Sequence, residues 1–185
     1  PIPNLIISTP KDSTEAGNLL YTAVMMNSPF VIRYSKEKLE YKKDTYELLE
    51  IGSWEVLSSG SDAVLITYGS FIPKALNIKN KLKSKIDLTV INARFQKPID
   101  EKMYSDLLRK YKNIFIYEEQ TFINSLGSYL VNYANEKKYK GQIRIFAIPD
   151  EFILQGKRDE IFKNLELDEE SVALRITNLL KEDVY

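Results

Sequence analysis

Short apolar runs and helical stripes alternate along almost the whole chain, and their periods define the expected elements. Residues 4–8, with Leu5, Ile6 and Ile7 in succession, read as a buried strand. Asp12 is placed to cap a helix running to about Met26, with Glu15 three residues on in the spacing of a capping box. Residues 29–34, Pro-Phe-Val-Ile-Arg-Tyr, read as the next strand. The chain thus opens with a small strand–helix–strand unit whose core is too thin to stand by itself. Residues 54–58 read as an edge strand turned by Ser59-Gly60-Ser61, and 62–68 as an apolar strand. A helix follows with Pro73 in its first turn, where the missing N–H costs nothing, and with Ile72, Ala75, Leu76 and Leu82 as its buried stripe. A strand is expected at 88–92, then a helix introduced by Pro98-Ile99-Asp100 and carrying Met103, Leu107, Leu108 and Tyr111. Next come an apolar strand at 114–117, a helix from about 125 to 138 and a strand at 143–148. The tail reads as a short helix near 158–165 and a last helix capped by Asp168, whose Glu169 and Glu170 complement the helix dipole.

Strands that alternate with helices in this way predict an α/β fold, a three-layer domain on a mostly parallel sheet. Right-handed crossovers place its helices on both faces. The alternation breaks once. From Lys36 to Asp44 the chain is largely charged and follows neither a period of 2 nor of 3.6, so the boundary is expected there. The expected organisation is an opening unit at 1–35, a linker at 36–48 and the main domain at 49–185. The start, Pro1-Ile2-Pro3-Asn4, lacks an initiator Met, as expected equally of a processed N-terminus or of a piece of a longer protein.

Composition changes the picture mainly through what is missing. The 185 residues hold no histidine and no cysteine, which excludes disulfides, thiolate metal sites, a Ser-His-Asp triad and a Cys-His pair. A complete site would have to run on carboxylates, Lys, Tyr or a bound cofactor. Lys and Arg total 26 and Asp and Glu total 26, so nothing suggests the basic surface of a nucleic-acid binder. No apolar run approaches the ~20 residues that span a bilayer, and a cytoplasmic location is the expectation.

Few residues point to chemistry when taken alone. Tyr68-Gly69-Ser70 joins a strand to a helix N-terminus, where backbone N–H groups can hold an anion, although one such glycine is usually only a turn. Glu118 and Glu119 end a strand at the sheet edge where α/β folds place ligands. Adjacent strand residues point to opposite faces, so the two carboxylates are not expected to converge on one substrate. Arg94, after another strand end, is expected to pair with one of these glutamates across neighbouring loops. Arg94, Glu118 and Glu119 are therefore read as structural or interface residues. The lysines from Lys79 to Lys85 read as a solvated helix face.

Several segments in order resemble the C-terminal region of the 1-deoxy-D-xylulose-5-phosphate synthase family. They are Ile2-Pro3-Asn4 with Thr9-Pro10-Lys11-Asp12, Pro29-Phe30-Val31-Ile32-Arg33-Tyr34, and Leu49-Glu50-Ile51-Gly52. Asn92-Ala93-Arg94-Phe95-Gln96-Lys97-Pro98-Ile99-Asp100, Tyr117-Glu118-Glu119, Leu126-Gly127-Ser128 and Ile148-Pro149-Asp150-Glu151-Phe152-Ile153 continue the series. The resemblance implies a transketolase-type C-terminal domain preceded by a strand–helix–strand remnant of the pyrimidine-binding domain. It implies a parent enzyme that condenses pyruvate with glyceraldehyde 3-phosphate, losing carbon dioxide, on thiamine diphosphate and Mg²⁺. The cofactor carries the carbanion chemistry. The cofactor-holding residues lie in N-terminal and middle domains that this chain lacks, so neither catalytic groups nor bound cofactor are expected from this chain alone. Scaffolding and the contacts of a homodimer are its expected part. One substrate position carries over. The family's Arg-Tyr-Pro-Arg-Gly offers its second arginine to the aldehyde's phosphate, and the matching run here is Arg33-Tyr34-Ser35-Lys36-Glu37, which makes Lys36 the candidate phosphate-binding residue. Lys36 keeps the charge without the bidentate fork. Asn124-Ser125 stands where the family has two glycines, which predicts a looser loop. The alternatives are a 2-oxoacid dehydrogenase beta subunit and a stand-alone interaction domain; an upstream Gly-Asp-Gly cofactor motif in the reading frame separates them from the synthase.

Overall fold

The computed structural model describes residues 2–36 and 45–182, so most of the expected linker, 37–44, lies outside the described residues. Two sheets organise the chain. The larger has the order β3-β5-β4-β7-β8, from β3 (Glu55–Ser58), β4 (Ala63–Thr67), β5 (Leu88–Asn92), β7 (Asn113–Thr121) and β8 (Gln142–Ile148). Three of its four pairings are parallel, and at one edge β3 runs antiparallel to β5. Alternation along the strands separates two cores. Ala63, Leu65, Phe115 and Tyr117 face one way, against α2 (Ile72–Leu82), α5 (Arg158–Asn164) and α6 (Glu169–Glu182). Val64, Ile66, Ile114 and Ile116 face the other, against α3 (Glu101–Lys110) and α4 (Leu126–Glu136). This is the expected three-layer α/β domain on a mostly parallel sheet.

Its caps are those the sequence predicts. Asp100 Oδ1 accepts from Met103 N at 2.8 Å to start α3, while Oδ2 accepts from Trp54 N at 3.0 Å. Asp168 accepts from Ser171 N at 3.2 Å to start α6. Caps of this kind are worth about 1 kcal/mol each.

The smaller sheet has the order β2-β1-β6. Here β1 (Ile6–Ser8) and β2 (Phe30–Ile32) pair in parallel, joined by α1 (Ser13–Met25). Asp12 caps α1 through Glu15 N at 2.8 Å, but Glu15 Oε2 accepts from Lys11 N at 2.7 Å, one residue beyond the N-cap N–H that a capping box uses. The third strand, β6 (Phe95–Lys97), is unexpected: it comes from the connection after β5 and pairs antiparallel with β1. Three residues are too few to show a period. Phe95 is fully buried with Ile6 and Leu19, and Phe30, Ile32, Leu49 and Ile51 close around them. The thin core of the opening unit is completed from the main domain.

Polar contacts add a second seam between the two sheets. Glu15, almost fully buried, accepts from Asn92 Nδ2 at 2.9 and 3.2 Å, and Lys11 Nζ bridges Glu15 at 3.4 Å to Glu55 at 2.6 Å. Glu47 N donates to Asn18 Oδ1 at 3.1 Å and Leu49 N to Thr22 Oγ1 at 2.9 Å, fixing the 47–49 segment along α1.

Candidate anion-binding cleft

Parallel strands bring their C-terminal ends to one edge, where α/β folds hold ligands. At that edge a cleft of about 540 Å³ is lined by Thr9, by Arg33, Tyr34, Ser35 and Lys36 after β2, by Tyr68 and Ser70 after β4, by Glu119 on β7 and by Arg158 at the start of α5. Three formal cations face one carboxylate. Such a cleft attracts anions through its summed field.

The two glutamates of β7 divide as the strand pleat requires. Glu118 is fully buried, accepting from Tyr68 Oη at 3.0 Å and from Gly127 N at 3.0 Å. Burial pushes its carboxyl above the usual range, and hydrogen bonds from Ser125, Tyr68, Gly127 and Leu126 pull the other way. Burial, and then the Glu118 charge, raises the Tyr68 phenol far above the ordinary tyrosine value. Glu119 points into the cleft instead. Its carboxylate takes Arg158 Nη2 at 2.6 Å and Nε at 3.2 Å, and Ser70 Oγ at 2.9 Å. Contrary to expectation, the strand does not end at these residues but runs on to Thr121 beside β8.

Two glycines of the sequence motifs are explained by close approach. Gly69 has φ +60°, in the left-handed region, and a Cβ there would sit 2.6 Å from Thr9 Cγ2. A Cβ on Gly127 would sit 2.7 Å from Glu118 Oε1. The loop before α4, expected to be looser without its glycines, is held differently. Asn124 takes φ +58°, which asparagine tolerates better than most residues, and Ser125 Oγ caps α4 through Ser128 N at 3.2 Å.

Arg94 does not reach Glu118 or Glu119, contrary to expectation. The strand it follows, β5, is separated from β7 by β4, and the side chain turns toward the opening unit. Nε and Nη2 donate to Ser53 O and Oγ at 2.9 and 2.7 Å, and Nη1 lies 3.7 Å from Glu15. Lys36, by contrast, is on the cleft wall and exposed. Arg33 and Arg158 join the cleft without any sequence motif marking them as site residues. Arg33 Nη1 donates to Gln120 Oε1 at 2.8 Å, and that oxygen lies 3.5 Å from Tyr68 Oη. For Arg158 a signal was present: a cation in the first turn of a helix opposes the dipole and calls for a partner elsewhere.

Residues 52–172 match the family described as Transketolase, C-terminal domain. The chain belongs to that family. Transketolase C-terminal domain relatives named 1-deoxy-D-xylulose-5-phosphate synthase are similar over nearly all of it. The Aquifex aeolicus protein is 32% identical over 182 residues, covering 97% of this chain and 29% of its own length. The Bacillus cereus (strain AH820) protein is 33% identical over 184 residues with the same coverage. The chain thus spans 29% of the length of these curated relatives. Among solved transketolase structures, one described as a split gene transketolase, inactive beta4 tetramer, superposes with TM-score 0.86 at 22% identity, covering 97% of this chain and 59% of that one. A transketolase variant from Pichia stipitis gives 0.67 at 20% identity, covering 97% and 25%. At these identities the solved structures bear on the fold alone.

Proposed function

We propose that this chain serves as the C-terminal part of a thiamine-diphosphate-dependent synthase that joins pyruvate and glyceraldehyde 3-phosphate with loss of carbon dioxide, forming 1-deoxy-D-xylulose 5-phosphate. The observation that carries the reading is the similarity to synthases of that name over 97% of the chain, well beyond the 52–172 stretch of the domain match. Residues 1–35 are then a piece of the pyrimidine-binding domain, 36–48 the linker and 49–185 the C-terminal domain. The shared β6 strand is what makes so small a piece of one domain ride on the next.

Thiamine diphosphate and Mg²⁺, when bound in the complete enzyme, supply the carbanion chemistry. Among the described residues no three His, Cys, Asp or Glu side chains group as a metal site. The chain's own contribution is positional. Lys36 and the cleft around it hold the aldehyde's phosphate. Glu118 and Arg94 are scaffold, one anchoring α4 to the sheet and the other joining the 50–53 loop to α1. The N-terminal and middle domains of the synthase are the implied partners, in a cytoplasmic homodimer. Leu20, Val24 and Met25, 59%, 74% and 59% exposed on α1, support a covered face there. No helix among the described residues is long and apolar enough to cross a membrane.

The test is a chimera in which this chain replaces the matching C-terminal part of the Aquifex aeolicus synthase. Carbon dioxide release that needs both pyruvate and glyceraldehyde 3-phosphate is expected. A folded chimera that releases none with that pair overturns the reading.

A further inference from the structure

Lys36 is not the cleft side chain best shaped for a phosphate. A phosphate presents paired oxygens, which a guanidinium fork matches and an ammonium does not. Arg158 carries such a fork on the cleft wall, and it already grips a pair of oxygens, those of Glu119 at 2.6 and 3.2 Å. Its Nη2 also donates to Ser70 Oγ at 3.0 Å, and that hydroxyl donates to the same carboxylate at 2.9 Å. We propose that Arg158 is the phosphate-binding fork of the cleft and that Glu119 is an internal stand-in, displaced when a phosphomonoester enters. This inference rests on the reading of the cleft as a phosphate site.

Exposure makes the exchange feasible. The Arg158 and Glu119 side chains are each 37% exposed, so their pair is solvent-screened and as weak as surface ion pairs generally are. A phosphomonoester dianion brings twice the charge of a carboxylate into a cleft that also holds Arg33 and Lys36. A monocarboxylate brings no more charge than Glu119 and competes poorly with a group already tethered in place. The cleft therefore selects phosphomonoesters over carboxylates. Glu119 can move without disturbing Glu118, because the two leave β7 on opposite faces. Ser70 Oγ, freed of its acceptor, donates to the entering anion.

The experiment is a titration of the chain with sn-glycerol 3-phosphate, and with propionate as the carboxylate control, followed by NMR. Wild type, Arg158→Ala, Arg158→Lys, Glu119→Gln and Lys36→Ala are compared, each with its melting temperature. Glycerol phosphate should bind and propionate should not. Arg158→Ala should weaken binding about tenfold or more, with Arg158→Lys in between. Glu119→Gln should tighten it several-fold, because the competing carboxylate charge is gone. A purely structural ion pair predicts the opposite for Glu119→Gln: a lower melting temperature and no gain in affinity. Unchanged binding in both Arg158 variants, or no tightening in Glu119→Gln, overturns the proposal. If Lys36→Ala alone weakens binding, the phosphate reading survives and only the role of Arg158 falls. Failure of wild type to bind glycerol phosphate overturns both.

Discussion

A carboxylate sealed from solvent is pulled one way by burial and the other by its donors, and both act on Glu118. Four donors surround it, yet burial outweighs them and raises its folded value above the ordinary 4.5. Over the interval just above 4.5 the folded chain keeps a proton that the unfolded chain has lost, so stability from this group falls as pH rises through it. Glu118→Gln removes the titration. The difference in urea-melt stability, wild type minus variant, should decline as pH climbs above 4.5; a level or rising difference contradicts this account. Lys36 lends itself to a kinetic test in the chimera. Lys36→Ala should raise the KM for glyceraldehyde 3-phosphate about tenfold with kcat little changed, as loss of one charge-assisted contact implies. An unchanged KM removes Lys36 from the phosphate site. Much of this local chemistry was legible beforehand. Strand alternation alone separates Glu118 from Glu119, and both motif glycines prove to be points of close contact. The convergence of residues 33, 36, 70, 119 and 158 was not legible, because it depends on which strand ends the topology places together.

At the scale of elements, the strands and helices of the main domain were readable because their apolar periods are long and their caps conventional. What the pattern does not show is β6, three residues between a strand end and Pro98. Its evidence lies in partners far along the chain: β1, and Trp54, whose Nε1 donates to Phe95 O at 2.8 Å. Phe95→Ala tests its weight. The fully buried ring joins the opening unit to the main domain, and its loss should cost about 3–5 kcal/mol in chemical denaturation. Amide exchange should rise along β1 well before it rises in β4, at the centre of the larger sheet. Equal changes in both strands would mean that the two sheets open as one unit. Arg94 was misplaced for a related reason. Its partner is set by a seam between sheets, which no local pattern reports.

For the whole molecule, the division of labour can be checked by calorimetry. Titrating the chain alone with thiamine diphosphate and Mg²⁺ should give no saturable heat if the cofactor contacts belong to other domains of the proposed synthase. Clear saturation would mean that a cofactor site is built from these 185 residues. The pairing of β1 with β6 bears, finally, on how such chains can be recombined. The charged stretch at 36–48 looks like the natural crossover point for exchanging modules between relatives. A break there would strip β1 from β6, lay Phe95 bare and leave an unpaired strand edge, a template for association with other chains. Functional shuffling events should therefore carry residues 2–34 along with the main domain as one inherited cassette, with viable breakpoints falling upstream of β1.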